Sequence, residues 1–250
     1  IRIKVKGIAP AIAKAFNAFA PQVAVDFHEY RPYRRDFVHF GENGITSSYD
    51  VMFLYSGNLN VPESLRQFTK DVFVENAKSA VRQRGLRARD YITTRKVHGD
   101  IHFNQGSTNA RASATSFALA NTVASLIEVR GVGIGRESYK RRVMTTFWVA
   151  HSYLQTAVKE HLSVHGTLSQ SAMGASPVTV KSRREQSRQS IEAIDLIQSK
   201  TISIEVMIHD ALRSEATLIR QRPTSYLLLP SQAKLAEKLK ILGLEVSELE

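Results

Sequence analysis

Cysteine is absent from all 250 residues of the chain. Within these residues, its absence excludes disulfide bonds, thiolate zinc ligands and a cysteine nucleophile. It does not define the cellular compartment, because many secreted proteins also lack disulfides.

Long apolar runs are missing as well. No stretch approaches the roughly 20 consecutive apolar residues that span a bilayer, so we expect no membrane partner. The sequence begins with Ile1 rather than methionine, and it shows no charged-then-apolar signal segment. Because strand-like residues reach both ends, we expect a piece of a longer chain.

Sequence signatures of several enzyme classes do not occur. The chain lacks the G-x-S-x-G elbow of serine hydrolases and the phosphate-binding loop of the Walker type. Glycines alternate over residues 131–135, but the dinucleotide fingerprint requires another glycine where this chain has Arg136. We therefore interpret this segment as a turn between a strand and a helix.

Positive charge is in excess, with 34 lysines and arginines, 23 aspartates and glutamates, and a formal net charge of +11. This balance is compatible with nucleic-acid binding and also with a basic surface that keeps a protein soluble. The basic residues are scattered, and no zinc-finger, RRM or basic-zipper pattern accompanies them. A basic nucleic-acid-binding module is therefore the less favoured alternative.

The pattern of apolar residues predicts the fold class. Buried strands are predicted at residues 22–27 and 122–129, helices at 62–84, 112–121 and 138–162, and loops at 31–61 and 99–111. Strands that alternate with helices indicate an α/β fold with a mixed β-sheet and helices on both faces.

A change in composition near residue 166 predicts a domain boundary. Residues 166–186 are rich in Ser, Thr, Gly, Gln and Arg, which is typical of a linker. Beyond them, strands are predicted at 201–208 and 224–229 and a helix at 232–242. We therefore expect a catalytic part over 1–165, followed over 166–250 by a linker and a small α+β accessory segment.

His28 directly follows the first predicted strand. Because the strand fixes the backbone, an imidazole at this place is well positioned to bind a metal ion. Asp26, two residues earlier on the same strand face, is a candidate partner for that imidazole. A hydrogen-bonded structural histidine is the alternative.

Glu128 lies in an apolar stretch, between Ile127 and Val129. Burial of a carboxylate there is costly unless the carboxylate is paired. One explanation is an ion pair with Arg130 or another arginine, and the other is a general base whose pKa is raised by its surroundings. Because ligands gather at the carboxyl ends of strands in α/β sheets, the placement of Glu128 links it to His28.

Two further histidine spacings have the form of metal-ligand pairs. His39 and Glu42 form an H-x-x-E, and His98 and His102 are four residues apart. Such pairs occur frequently by chance, so neither predicts a zinc site by itself.

Three segments together resemble the zinc carboxypeptidase family of the carboxypeptidase A type. They are residues 25–32 (VDFHEYRP), 104–111 (NQGSTNAR) and 126–133 (LIEVRGVG). Their order and separation resemble the second half of the family's catalytic domain, over about residues 1–162. Residues 222–228 and 235–242 are similar to the tail of larger bacterial members.

The resemblance implies a zinc-dependent metallopeptidase that removes C-terminal residues, with zinc held by two histidines and a glutamate. It assigns the last zinc-binding histidine to His28 and the catalytic base to Glu128. In the family the other two ligands come from an earlier H-x-x-E. His39 and Glu42 have that spacing but follow His28, so we expect the other ligands upstream. The resemblance also favours a secreted or periplasmic protein.

The resemblance also bears on the substrate, which is expected to be a peptide or a small amide. The family's asparagine–arginine pair for the terminal carboxylate is not present in this chain. Where the family has a capping tyrosine, this chain offers His102, Asn109 and Arg111. Asn109, Arg111 and Arg130 are therefore the candidate substrate-binding residues, with a surface salt bridge as the alternative for Arg111. A zinc amidohydrolase of small acyl-amino acids is the related alternative.

Overall fold

A computed structural model describes residues 8–172 and 177–249. The described helices are α1 (Ile8–Phe19), α2 (Glu63–Phe68), α3 (Glu75–Arg82), α4 (Ser113–Leu119), α5 (Tyr139–Lys159), α6 (His161–Ala172) and α7 (Ala233–Ile241). The described strands are β1 (Val23–Tyr30), β2 (Ile45–Ser47), β3 (Val51–Tyr55), β4 (Ala88–Asp90), β5 (Ile92–Val97), β6 (Asp100–Gln105), β7 (Val123–Arg130), β8 (Val178–Asp195) and β9 (Thr201–Arg220).

The chain divides into two compact units, one formed by residues 1–21 and 222–250 and the other by residues 22–221. In the smaller unit, α1 contacts α7, and the side-chain amide of Asn17 donates a hydrogen bond of 2.9 Å to the carbonyl of Ile241. The larger unit continues through residue 166. The functional division at that residue, into a catalytic part and an accessory segment, stays a prediction.

The first sheet of the larger unit has the strand order β1-β7-β3-β4. Strand β1 is parallel to β7, β7 is antiparallel to β3, and β3 is parallel to β4. The sheet is therefore mixed, and the predicted α/β class is confirmed. Strand β1 lies at its edge, so both predicted strands are present and are direct neighbours.

Helices pack on both faces of the first sheet. On one face, α3, α5 and the π-helical segment Thr69–Val74 between α2 and α3 contribute Val81, Val149 and Phe73 to the main hydrophobic core. On the other face, Ala114 of α4 packs with Leu54 and Leu126. Because side chains alternate along a strand, Leu126 and Glu128 share this second face.

The second sheet has the order β2-β8-β9-β6-β5 and is also mixed. Its core is formed by Phe37, Ile45, Phe103, Ile191, Val206 and Ile208. The long hairpin β8–β9 supplies most of the sheet. Helix α6 and strand β8 cover most of residues 166–186, where the composition suggested a linker, and residues 173–176 lie outside the described part.

Strand β3 is central in the first sheet, although residues 31–61 were predicted to be a loop. All five of its residues, from Val51 to Tyr55, are buried. The surrounding residues are rich in glycine and serine, so the average composition of this segment is typical of a loop even though it contains a short apolar run. Its end fits tightly against β9, because a Cβ on Gly57 would lie 2.1 Å from the carbonyl oxygen of Ala211.

A buried lysine of α3 joins this helix to the first sheet. The ammonium group of Lys78 donates hydrogen bonds of 2.7 Å to both Glu75 and Asp90, and its side chain is only 5% exposed. Lys78→Ala leaves the Asp90 carboxylate without this partner. We expect it to lower the free energy of unfolding by about 3–5 kcal/mol, measured by urea denaturation.

Lys70→Ala is the matched control. Lys70 belongs to the π-helical segment that leads into α3, but its ion pair with Asp71 is solvent-exposed, with a separation of 3.5 Å. Its loss should cost about 0.5 kcal/mol or less. Equal effects of the two substitutions would contradict a structural role for the buried lysine.

Among the described helices, none combines the length and the apolar character that crossing a membrane requires.

Candidate active site

The two residues that the sequence singled out lie side by side. In the parallel pair of β1 and β7, His28 and Glu128 are register partners. Partners in neighbouring parallel strands project their side chains from the same face of the sheet. Each is the third residue from the carboxyl end of its eight-residue strand. The carboxyl edge of this strand pair therefore brings an imidazole and a carboxylate together.

A second carboxylate supports His28. The Nε2 atom of His28 lies 3.2 Å from Oδ2 of Asp26, and the hydroxyl of Ser113 donates a 2.6 Å hydrogen bond to the same oxygen. This geometry supplies the contact that strand spacing alone left open. The Ser113 contact was not predicted, and no sequence signal marks it. The arrangement favours an imidazole whose Nε2 proton is held by Asp26, which leaves Nδ1 for another partner.

The Glu128 carboxyl is half-buried, and its pKa is raised. Desolvation by burial is the main cause, the charge of Asp26 adds to it, and the nearby His28 opposes it. Met52 lies directly across the strand pair from Glu128 and contributes to the apolar surroundings. In the described residues Glu128 forms no ion pair, so the pairing with Arg130 that the sequence allowed is absent. A carboxyl with a raised pKa is a stronger base than an exposed one, and beside an imidazole it is a candidate general base.

Tyr91 is a site residue that the sequence analysis missed. Burial and then the negative charge of Glu128 raise the pKa of its phenol, which places the phenol near that carboxylate. Tyr91 stands between β4 and β5, and its backbone N–H donates to the carbonyl of Phe53. No motif in the sequence marks it, because only the fold brings β4 beside this face.

A cavity of about 180 Å³ lies beside Glu128, between the two sheets. Its apolar lining includes Met52 from the first sheet and Phe103 and Ile191 from the second. Arg34 is among its charged lining residues. The cavity therefore offers a space with both polar and apolar walls next to the candidate base.

The three candidate substrate-binding residues have different surroundings. Arg130 is half-buried beyond Glu128 on the same strand, and its Nε atom has no hydrogen-bond partner in residues 8–172 and 177–249. Asn109 and Arg111 lie in the exposed turn before α4, where the side-chain oxygen of Asn109 accepts a 3.0 Å hydrogen bond from the Arg111 backbone. This bond gives Asn109 a local structural role. Substrate contacts of all three residues stay predictions.

The other histidines do not join this site. His39 ends a 3-10 helix and is exposed, as is Glu42. His102 contacts His209 in the second sheet, at an Nδ1–Nε2 distance of 2.8 Å.

Zinc fits these residues only in part. In the described part of the chain, no three His, Cys, Asp or Glu side chains form a group that could hold a metal ion. His28 with its Asp26 partner has the form of one ligand, since metal-binding histidines commonly donate their other ring N–H to a carboxylate. The described residues alone therefore do not form a zinc site.

The glycine-rich turn after β7 is held by an arginine. The guanidinium of Arg142 donates to the carbonyl oxygens of Gly131 and Gly135, at 3.0 and 2.8 Å. A Cβ on Gly131 would also lie 2.4 Å from a carboxylate oxygen of Glu29, so the absence of a side chain allows a close approach. These contacts agree with a turn between a strand and a helix.

Curated proteins similar to this chain are fungal carboxypeptidases. Carboxypeptidase 2 of Trichophyton equinum is 25% identical over 95% of this chain and 45% of its own length. Carboxypeptidase 2 of Trichophyton rubrum is 24% identical over 95% of this chain and 45% of its own length. A protein of Arthroderma benhamiae named probable carboxypeptidase 2 is 25% identical over 95% of this chain and 46% of its own length.

The chain thus spans about half the length of the curated relatives that it matches. No family model matches it, and no solved structure matches it. The names of these relatives agree with the expectation of an enzyme, a peptidase of the carboxypeptidase kind. They do not specify a metal.

Proposed function

We propose that this chain supplies the catalytic base and one zinc ligand of a zinc-dependent carboxypeptidase, with Glu128 as the base and His28 as the ligand. The observation that supports it best is the pairing of these two residues across β1 and β7. The similarity to proteins named carboxypeptidase 2 supports the reaction class. The remaining zinc ligands come from residues outside these 250 in this proposal.

The residues of this chain have defined tasks in the proposal. Glu128 accepts a proton from the attacking water and delivers it to the leaving amine. Asp26 orients the His28 ring through the 3.2 Å contact. A bound zinc ion supplies the acidity of a water molecule and polarises a carbonyl.

The cavity beside Glu128 has room for a substrate side chain. Its volume of about 180 Å³ is similar to that of an engineered apolar cavity of about 150 Å³ that binds benzene. A large side chain next to the scissile bond is therefore compatible with the site.

The test uses the full-length protein and three substrates, which are a peptide with a free C-terminus, the same peptide with an amidated C-terminus, and an N-acyl amino acid. We expect release of the C-terminal residue from the free peptide only, with loss of activity in a chelator and recovery with zinc. Mass spectrometry of the products measures this. Cleavage of the N-acyl amino acid alone would favour the amidohydrolase, and undiminished activity in the chelator would reject zinc dependence.

A further inference from the structure

The second sheet has a face that its hydrophobic core does not use. Phe103 of β6 is buried in that core, so its neighbours His102 and Asn104 project from the opposite face. The register places Arg95 of β5 across from His102, and it places His209 of β9 beside Asn104. Three strands thus contribute polar side chains to one surface.

Close contacts organise this surface. The His102 and His209 rings are stacked, with centroids 5.1 Å apart and an Nδ1–Nε2 distance of 2.8 Å. From β8, the guanidinium of Arg184 donates a 2.9 Å hydrogen bond to the side-chain oxygen of Asn104. We call this surface the basic face, and it consists of Arg95, His102, Asn104, Arg184 and His209.

The positively charged groups of the basic face repel one another. Burial and then the charge of Arg95 lower the pKa of the Arg184 guanidinium. His209 is buried, and its pKa is lowered by burial first and then by Arg95, His102 and Arg184. Positive groups held this close raise the energy of each other's charged form, and a bound anion would relieve that cost.

Neither Arg95 nor Arg184 forms an ion pair in the described ranges. Other charged residues belong to the same side of the sheet, and one of them is Asp100, two residues before His102 on β6. Arg188 pairs in register with Met207, and Glu205 precedes Met207 by two residues on the same strand. Neither Asp100 nor Glu205 forms an ion pair with Arg95 or Arg184 in the described ranges, so both guanidinium groups are available to an anion.

We propose that the basic face binds a dianionic phosphoryl group. Two guanidinium groups match two negative charges, and their planar N–H donors fit oxyanion geometry in a bidentate manner. With both rings neutral, one N–H lies in the hydrogen bond between His102 and His209, and the other leaves one outer ring nitrogen as a further donor. A free phosphate ion and a phosphomonoester offer the same chemistry, so both are sources of the ligand. The site is on a different sheet from Glu128 and does not depend on the proposed peptidase activity.

The test is calorimetric titration of the protein with inorganic phosphate and with phenyl phosphate, at constant ionic strength. We expect saturable binding of one or both compounds, and the stronger ligand identifies the source. Acetate at the same ionic strength should bind more weakly, because it has a single charge. The ring-proton NMR signals of His102 and His209 should shift during the titration, which locates the ligand.

Substitutions separate a built site from general electrostatic attraction. Arg184→Gln and Arg95→Gln should each weaken phosphate binding by about 10- to 100-fold. The control is Arg183→Gln, since Arg183 is exposed and pairs with Glu215 at 3.2 Å. It should leave the affinity unchanged. Circular dichroism confirms that each variant is folded.

Two results would overturn the proposal. One is the absence of saturable binding of both phosphate compounds. The other is an equal loss of affinity in the Arg183→Gln and Arg184→Gln variants, because it would mean that phosphate responds only to net charge.

Discussion

The Glu128→Gln variant of the full-length protein should keep its zinc and lose about 10²- to 10⁴-fold in kcat for peptide hydrolysis. The substitution preserves the shape of the side chain and removes its ability to take a proton. The raised pKa of Glu128 has a physical origin in burial, which the apolar neighbours of β7 and β3 provide. A carboxyl in such surroundings is a stronger base than an exposed one. Removal of this base should therefore slow the chemical step and lower kcat.

Glu192→Gln is the matched control for this experiment. Glu192 also lines the cavity beside Glu128, but it belongs to β8 of the second sheet. Its kcat should stay within about threefold of the wild type, as expected for a residue outside the proton transfer. A wild-type kcat in Glu128→Gln would remove this residue from the mechanism. Equal losses in both variants would assign the effect to the charge of the cavity.

The sequence could predict the central pair of the site because strand ends are visible in it. Apolar runs mark β1 and β7, and His28 and Glu128 stand where those runs end. A parallel pairing of the two strands then places both residues at one edge. The roles given to them came from the resemblance, and the geometry is compatible with those roles.

Other site residues could not be predicted because their contacts are long-range. Tyr91 approaches Glu128 only because β4 pairs with β3, which in turn pairs with β7. Ser113 reaches Asp26 across 87 residues of sequence. Neither residue has a local signal such as a spacing or a flanking pattern.

Strands β3 and β8 were not predicted from the sequence, and each omission has a local physical cause. Strand β3 is a short apolar run surrounded by residues typical of loops, and only its central position in the sheet explains its burial. Strand β8 contains many polar and basic residues because much of it is exposed to solvent. Such a strand lacks the apolar content on which periodicity depends.

The His28→Ala variant of the full-length protein should lose its zinc. Removal of a residue that only hydrogen-bonds to a metal ligand weakens metal binding by roughly 10- to 100-fold. His28→Ala removes the ligand itself, so we expect a larger loss of zinc affinity. The half-exposed imidazole is held by Asp26 through one nitrogen, so its other nitrogen is available for the metal. Elemental analysis after dialysis against a zinc buffer measures the bound metal.

Two further variants serve as references for this experiment: Asp26→Asn should have an intermediate effect, and His39→Ala is the control. Asparagine at position 26 keeps the ring in place less firmly and should weaken zinc binding by about 10- to 100-fold. His39 is exposed and lies at the end of a 3-10 helix rather than on β1, so His39→Ala should retain the wild-type metal content. Unchanged zinc in His28→Ala would reject the ligand assignment. Loss of zinc in His39→Ala would instead restore the H-x-x-E of His39 and Glu42 as the ligand pair, since its order along the chain was the reason for setting it aside.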